Sequence, residues 1–337
     1  MNRRRTKSAV LGAVLGAVLA LGACGGDATG NEGAVDDNGK VDLSKVTLIV
    51  GDQKGGSKAL LQAAGQLDDV DYKIEWKEFT SGPPLLEALN AGALHVGGVG
   101  NTPPLFAAAG KSEIKVVQAA TYGGTGDAIV VPKDSSITDV SQLKGKTVGV
   151  AEGSSANYNL LAQLQAAGVK YSDITVKNLQ PGDALAAFSA GHLDAWAIWE
   201  PFTSQAEQEA GAKVIADGRE LANGYNFQVA SDAGLDDKAT KTALQDYLSR
   251  IARAQVWSQT HQEDWAKVWA EETGLSDKIT LAAVKKRQVK PVPVDQAVID
   301  SEQKMADSFA ANELLPGKFD VSPYFIGDFN EYTTGEK

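Results

Sequence analysis

Two stretches of this 337-residue chain repeat one another 99 positions apart, and that echo limits the fold more than any other feature of the sequence. Ala88-Leu89-Asn90-Ala91-Gly92-Ala93-Leu94-His95-Val96 runs on to the turn Gly100-Asn101-Thr102-Pro103, and Ala187-Phe188-Ser189-Ala190-Gly191-His192-Leu193-Asp194-Ala195 runs on to Trp199-Glu200-Pro201. Each copy reads as a helix closed by Gly, a short strand, and a polar turn with Pro near the start of the next helix. Any βα unit shares part of this pattern. The upstream segments match as well, however: Phe79-Thr80-Ser81-Gly82 in one copy and Leu179-Gln180-Pro181-Gly182 in the other. A duplicated strand-helix unit predicts two α/β lobes of related topology whose turns face each other across a cleft.

The rest of the chain supports that layering. Short β-branched runs predict strands at 46–50, 73–76, 96–99, 114–119, 128–131, 147–150, 174–176, 195–198 and 214–215. Helical stretches lie between them at 59–66, 85–90, 105–109, 158–167 and 184–189. Such alternation implies mostly parallel sheets flanked by helices. After about residue 238 the chain becomes helical, over 239–258, 263–272 and 295–312. Trp257, Trp265 and Trp269 have the spacing of the buried face of an amphipathic helix there.

Composition excludes several function classes. With 43% apolar residues the chain can bury a sizeable core. A formal charge of −11, with no basic run beyond the first seven residues, lacks the electrostatic footprint of nucleic-acid binding. Three His and one Cys form no ligand cluster, so neither a zinc site nor a disulfide framework is expected. His95, His192 and His261 read as surface or core residues, and Lys285-Lys286-Arg287 as a solvated face. There is no Gly-x-Ser-x-Gly, no paired His and no metal triad, so an extracytoplasmic hydrolase is the remote alternative.

The N-terminus carries an address. Arg3, Arg4, Arg5 and Lys7 precede an apolar run from Ala9 to Ala23, shorter than the roughly 20 residues that span a bilayer. This reads as a signal peptide over 1–23. Its end, Leu21-Gly22-Ala23-Cys24, resembles the lipobox of bacterial lipoproteins, which implies cleavage before Cys24 and a diacylglycerol on its thiol. Acyl chains would then hold the protein on a membrane surface without a spanning helix. Cleavage removes four positive charges and no negative one from a chain of charge −11, leaving −15. Residues 24–45 read as the lipidated Cys and a flexible tether, since 25–40 contain almost nothing able to join a core.

The predicted strand-to-helix turns hold the chemistry. They include Asp52-Gln53-Lys54-Gly55, Thr80-Ser81-Gly82-Pro83, Gly100-Asn101-Thr102-Pro103, Gly153-Ser154-Ser155 and Trp199-Glu200-Pro201. In open α/β sheets ligands bind at such turns, beyond the carboxyl ends of the strands. Gly permits close approach, hydroxyls donate, and a helix N-terminus presents free N–H groups with about half a positive charge. The set suits an oxyanion, and the same residues also serve as helix caps.

These turns, with Trp76-Lys77-Glu78-Phe79, Leu86-Glu87-Ala88-Leu89-Asn90 and Asp194-Ala195-Trp196-Ala197-Ile198, resemble the aliphatic-sulfonate-binding proteins of ABC importers, relatives of the taurine- and nitrate-binding proteins. The likeness spans about 46–330. It implies a two-lobed type II periplasmic-binding-protein fold, with one lobe from 46–124 plus 225–337, the other from 125–224, and two crossing segments as hinge. It implies a monomeric extracytoplasmic receptor without cofactor, partnered by a small alkanesulfonate, a permease with its ATPase subunit, and the membrane surface through Cys24. Matched motif by motif, Gln53, Ser81, Asn101, Thr102, Ser154 and Ser155 would donate to the sulfonate and Trp199 would pack on its alkyl part. Glu200 would repel an anion unless it faces away or holds a cationic group. In the taurine-binding relatives an Asp after the second crossing pairs with the ligand's ammonium. Asn226 stands there in this chain, which points to a simple alkanesulfonate, with taurine, nitrate, or another small anion or heterocycle as alternatives.

Overall fold

The computed structural model describes residues 30–334; Cys24 and the segment read as a signal peptide lie outside them. Its strands form two sheets. The first contains β1 (Thr47–Gln53), β2 (Lys73–Phe79), β3 (Val96–Gly100) and β4 (Ile114–Thr121). The second contains β5 (Ala128–Val131), β6 (Thr147–Val150), β7 (Thr175–Asn178), β8 (Ala195–Ile198) and β9 (Lys213–Asp217). The chain then returns to the first sheet as β10 (Tyr225–Ser231) and β11 (Lys290–Val292).

The strand orders are β11-β4-β10-β3-β1-β2 and β7-β6-β8-β5-β9. β1 lies between β2 and β3 in the first sheet, and β6 between β7 and β8 in the second, each paired in parallel with both neighbours. Beside β3 and β8 lies an antiparallel strand entered at a crossing, β10 in one sheet and β5 in the other. The sheets are therefore mixed, with antiparallel strands at the crossings that local β-propensity did not separate from their parallel neighbours. The echo in the sequence is this shared order.

Helices cover both faces. The first lobe starts with α1 (Ser57–Ala63), α2 (Gly82–Asn90) and α3 (Pro103–Ala109), and the second is covered by α4 (Ser155–Ala166), α5 (Pro181–Ser189) and α6 (Phe202–Glu209). Pro at the first turn of α2, α3 and α5 starts these helices two or three residues before their apolar runs, because a missing N–H costs nothing there. The C-terminal part adds α7 (Asp232–Asp236), α8 (Lys238–Ser258), α9 (Gln262–Thr273), α10 (Asp277–Lys286) and α11 (Gln296–Ala311), all returned to the first lobe.

One face of the first sheet packs on α1, α8 and α9 around Leu48, Val50, Leu61, Tyr247 and Trp269. The other packs on α2 and α11 around Leu85, Leu89, Phe227 and Phe309. Trp265 and Trp269 are buried and stacked, with ring centroids 5.7 Å apart. Trp257 departs from the sequence reading. It sits on α8, not on their helix, and stacks on His261 at 4.6 Å.

The tether reading fails from residue 31 onward. Asn31 is buried: its Nδ2 donates to Thr47 O at 3.1 Å and Thr240 Oγ1 at 2.8 Å, and its Oδ1 accepts from Thr47 N at 2.9 Å. Ala34 joins the core of the first lobe, with Val35, Val41 and Leu43 packed against it. The segment is fastened by one amide side chain and isolated apolar residues, so no periodic pattern announces it.

Gly55 marks the tightest close approach. It has φ +72°, and a Cβ there would fall 1.1 Å from Trp269 Nε1. Gly55→Ala should lower stability by about 2–5 kcal/mol, combining left-handed backbone strain with overpacking. Thermal unfolding of the variant against wild type measures this, and an unchanged midpoint would show that the Trp269 ring shifts freely.

Candidate functional site

The carboxyl ends of both sheets meet at a cavity of about 120 Å³. Of the residues expected at the site, Gln53, Ser154, Ser155, Trp199, Glu200 and Asn226 line it. Ser81, Asn101 and Thr102 are buried outside its lining. Ser81 Oγ donates to Gln180 Oε1 at 2.8 Å, a bond between the two lobes. Asn101 Nδ2 donates to Asn223 Oδ1 at 2.7 Å, and Thr102 Oγ1 donates to Asn101 Oδ1 at 2.9 Å. These three side chains tie the lobes and the returning segment together, and their hydrogen bonds are used in doing so.

The N-terminus of α4 points at the cavity from the second lobe. Ser154 caps it, with Oγ accepting from Asn157 N at 3.2 Å and donating to Ala151 O at 2.6 Å. Ser155 Oγ donates to Asp127 Oδ1 at 2.8 Å. Both hydroxyl protons are thus held by the protein, contrary to the donor role expected of them. The backbone is another matter. Of the first amides of α4, those of Asn157 and Tyr158 bond back to Ser154 O at 3.0 and 3.3 Å. Those of Ser155 and Ala156 have no intrahelical partner by construction, and they carry the positive end of the helix dipole.

Four charged side chains line the cavity, Asp52, Lys54, Glu200 and Arg287, and their formal charges cancel. Glu200 does not confront a ligand as a bare anion. It accepts from Ser204 N at 3.1 Å and Ser204 Oγ at 2.9 Å, and pairs with Lys286 Nζ at 2.9 Å. Burial pushes its carboxyl up, with Lys286 pulling against it. Lys286 also reaches Glu207 at 2.6 Å. The run read as a solvated face is therefore divided: Lys285 is exposed, Lys286 bridges the lobes, and Arg287 enters the cavity with its guanidinium 5.5 Å from the Trp269 ring. Arg287 follows the end of α10, where the chain leaves helical geometry and turns inward, so its own sequence neighbourhood gives no sign of this.

Two buried carboxylates support the site. Asp52 accepts from Ser57 N at 2.8 Å and Lys58 N at 2.9 Å, holding the turn after β1. Asp127 accepts from Tyr122 OH as well as Ser155 Oγ, next to the crossing between lobes. Burial raises each to about 6, against the hydrogen bonds that lower it. On the first-lobe side the cavity reaches below the sheet ends to Gln118, Gln228, Gln255 and Trp265. The sequence reading did not single out these three amides. Only a pattern of polar residues inside apolar strands, as at Gln118 and Gln228, could have marked them.

Known proteins resemble the chain along most of its length. A model of the NMT1-like family matches residues 48–274. A protein of Escherichia coli (strain K12) named as an aliphatic sulfonates-binding protein is 34% identical, over 82% of this chain and 88% of its own. A protein of the same name from Bacillus subtilis (strain 168) is 28% identical, over 81% and 80%. Among solved structures, the alkanesulfonate-binding protein of Xanthomonas axonopodis pv. citri, bound to MOPS, superposes with a TM-score of 0.77 at 33% identity, covering 83% of this chain and 98% of that one. The chain belongs to the NMT1-like family, and its two-sheet architecture is that of the alkanesulfonate-binding structure.

The raised pKa of Asp127 sets a pH dependence. A carboxyl raised from 3.8 to about 6 by folding binds its proton more tightly in the native state, so it favours folding below pH 4 and loses that contribution as pH rises through 6. Between pH 5 and pH 8 wild type should therefore lose more stability than Asp127→Asn, by about 1.4 kcal/mol. Denaturant unfolding of both at the two pH values tests this, and parallel losses would show that Asp127 titrates unperturbed.

Proposed function

We propose that this chain is the extracytoplasmic receptor of an ABC importer, holding an aliphatic sulfonate between its lobes and presenting it to the permease, anchored to the membrane through acylated Cys24. The observation that carries the reading is the start of α4. A sulfonate is a very weak base and has no proton to share, so it is best held by several fixed donors with little net charge. The free Ser155 and Ala156 amides at the start of α4, where Ser154 and Ser155 line a cavity whose side-chain charges cancel, are such donors. Gln53, whose Nε2 donates to Gly98 O at 3.1 Å, keeps a second N–H for the same purpose. Arg287 adds a guanidinium balanced by Asp127 and Glu200.

Asn226 and Trp199 line the same cavity. Trp199 is half-buried and meets Phe202 edge-on at 6.4 Å, which leaves ring surface for the carbon chain of a ligand. Capture needs no bond-making, and the site as proposed is a binding site without a catalytic residue. The protein works as a single copy, since both halves of the site come from one chain.

The test separates amide from hydroxyl. Ser154, the residue before Ser155, has φ −86° and ψ 165°, a conformation that a following Pro accepts, and Pro is favoured at the first position of a helix. Ser155→Pro deletes an amide and a hydroxyl, whereas Ser155→Ala deletes the hydroxyl alone. A hydrogen bond to a charged group contributes about 1.5–3 kcal/mol, so Ser155→Pro should bind ethanesulfonate at least about tenfold more weakly than Ser155→Ala. Titration calorimetry against ethanesulfonate, sulfate and nitrate at fixed salt gives the answer. Equal affinities in the two variants would remove the amide from the site, and binding of nitrate but of no sulfonate would move the receptor to another ligand.

A further inference from the structure

The inner end of the cavity has the opposite polarity from the α4 end. Gln118 and Gln228 stand opposite one another on the neighbouring strands β4 and β10. Gln118 Nε2 donates to Leu248 O at 3.1 Å and Gln228 Nε2 donates to Ser57 Oγ at 3.1 Å. The first bond requires an acceptor, which fixes that amide with its oxygen turned the other way. Both side-chain oxygens are buried without a partner, as is Gln255 Oε1 on α8. The three side chains are 1%, 6% and 7% exposed, and all three line the cavity. Trp265 Nε1, also at this end, is a single unpartnered donor among them.

Buried polar atoms left without a partner are costly, and here three such acceptors belong to side chains that line one cavity. Sulfonate oxygens cannot satisfy them, because acceptor would meet acceptor. A methyl-ended alkyl chain cannot either. We infer that the chamber formed by Gln118, Gln228 and Gln255 is a subsite for a hydrogen-bond-donating group at the far end of the ligand, so that the solute is an ω-hydroxy- or ω-ammonio-alkanesulfonate, with its sulfonate at the α4 amides and its donor among the three glutamine oxygens. The inference rests on the sulfonate reading given above and narrows it. It also departs from the expectation of a simple alkanesulfonate, which was based on Asn226 alone. Glu200, the other candidate partner for a ligand cation, is occupied by Lys286.

The decisive measurement compares three sulfonates with the same number of non-hydrogen atoms: propanesulfonate, 2-hydroxyethanesulfonate and 2-aminoethanesulfonate. Each is titrated calorimetrically into the full chain, held in a non-ionic detergent, and into Gln118→Met with Gln228→Met. One or both of the donor-bearing ligands should bind wild type at least tenfold more tightly than propanesulfonate, and the preference should fall to near unity in the double variant. Which of the two is preferred tells hydroxyl from ammonium. Propanesulfonate binding wild type as tightly as both others would overturn the inference and leave the sulfonate receptor standing. A preference that survives the double substitution would also overturn it, by placing the donor's partner elsewhere. If none of the three binds, the sulfonate reading falls and the inference with it. Should the double variant not fold, the wild-type ranking alone still decides between the first two outcomes.

Discussion

Strand β3, Val96-Gly97-Gly98-Val99-Gly100, has side chains on only two of its five residues, and three separate approaches depend on that bareness. A Cβ on Gly97 would fall 2.5 Å from Leu85 Cδ2, so its absence lets α2 lie down on the sheet. On the opposite face, a Cβ on Gly98 would fall 2.8 Å from Ser57 Oγ and 3.1 Å from Gln228 Nε2, where the cavity now passes beneath the strand. At the strand's end, a Cβ on Gly100 would fall 3.1 Å from Ser155 Cβ on the other lobe. Glycine weakens a strand by roughly 0.5–1 kcal/mol per residue relative to Ala. Pairing on both edges, with β1 in parallel and β10 antiparallel, offsets that loss.

The acidity of the chain and an anionic ligand are reconciled at short range. At physiological ionic strength charges separated by more than about 8 Å in water are largely screened, so the surface excess of Asp and Glu acts weakly on a group inside the cleft. What acts there is local: Asp52 and Glu200 against Lys54 and Arg287, and behind them Asp127 and Lys286. With those contributions near cancellation, selectivity falls to directed donors. Backbone amides suit that task because their positions are set by the helix, not by a rotamer. The serine hydroxyls fix the helix start and the Asp127 carboxylate, which keeps the amides aimed.

The architecture was legible in the sequence because a duplicated unit leaves a duplicated pattern. Gly92 and Gly191 close equivalent helices, and Pro103 and Pro201 stand at the turns after equivalent strands. The site was legible to the level of turns. Within those turns, whether a side chain faces the ligand or a neighbouring element is decided by packing. Ser81, Asn101 and Thr102 occupy expected turns yet bond to Gln180, Asn223 and each other. Arg287 was illegible for the converse reason, since a basic triplet after a helix looks solvated until α10 is docked on α9 and the chain turns inward. The glutamines of the inner chamber come from β4, β10 and α8, and only the crossing order of the first sheet makes neighbours of Gln118 and Gln228.

That crossing order divides the site unequally between the lobes, and the division matters for capture. On the proposed reading the second lobe supplies donors at the start of α4, and the first supplies Gln53, Arg287 and the acceptors beneath its sheet. A ligand shifts an equilibrium between conformations only by its differential affinity for them. A group that met the α4 amides alone would interact with one lobe and give no preference for the approach of the other. A solute with an anion at one end and a donor at the other, spanning the distance between the two sets, interacts fully only when Gly100 and Ser155 are in contact. Discrimination and lobe approach then draw on the same hydrogen bonds, so a ligand lacking the far-end donor loses affinity and part of its ability to favour the joined arrangement together.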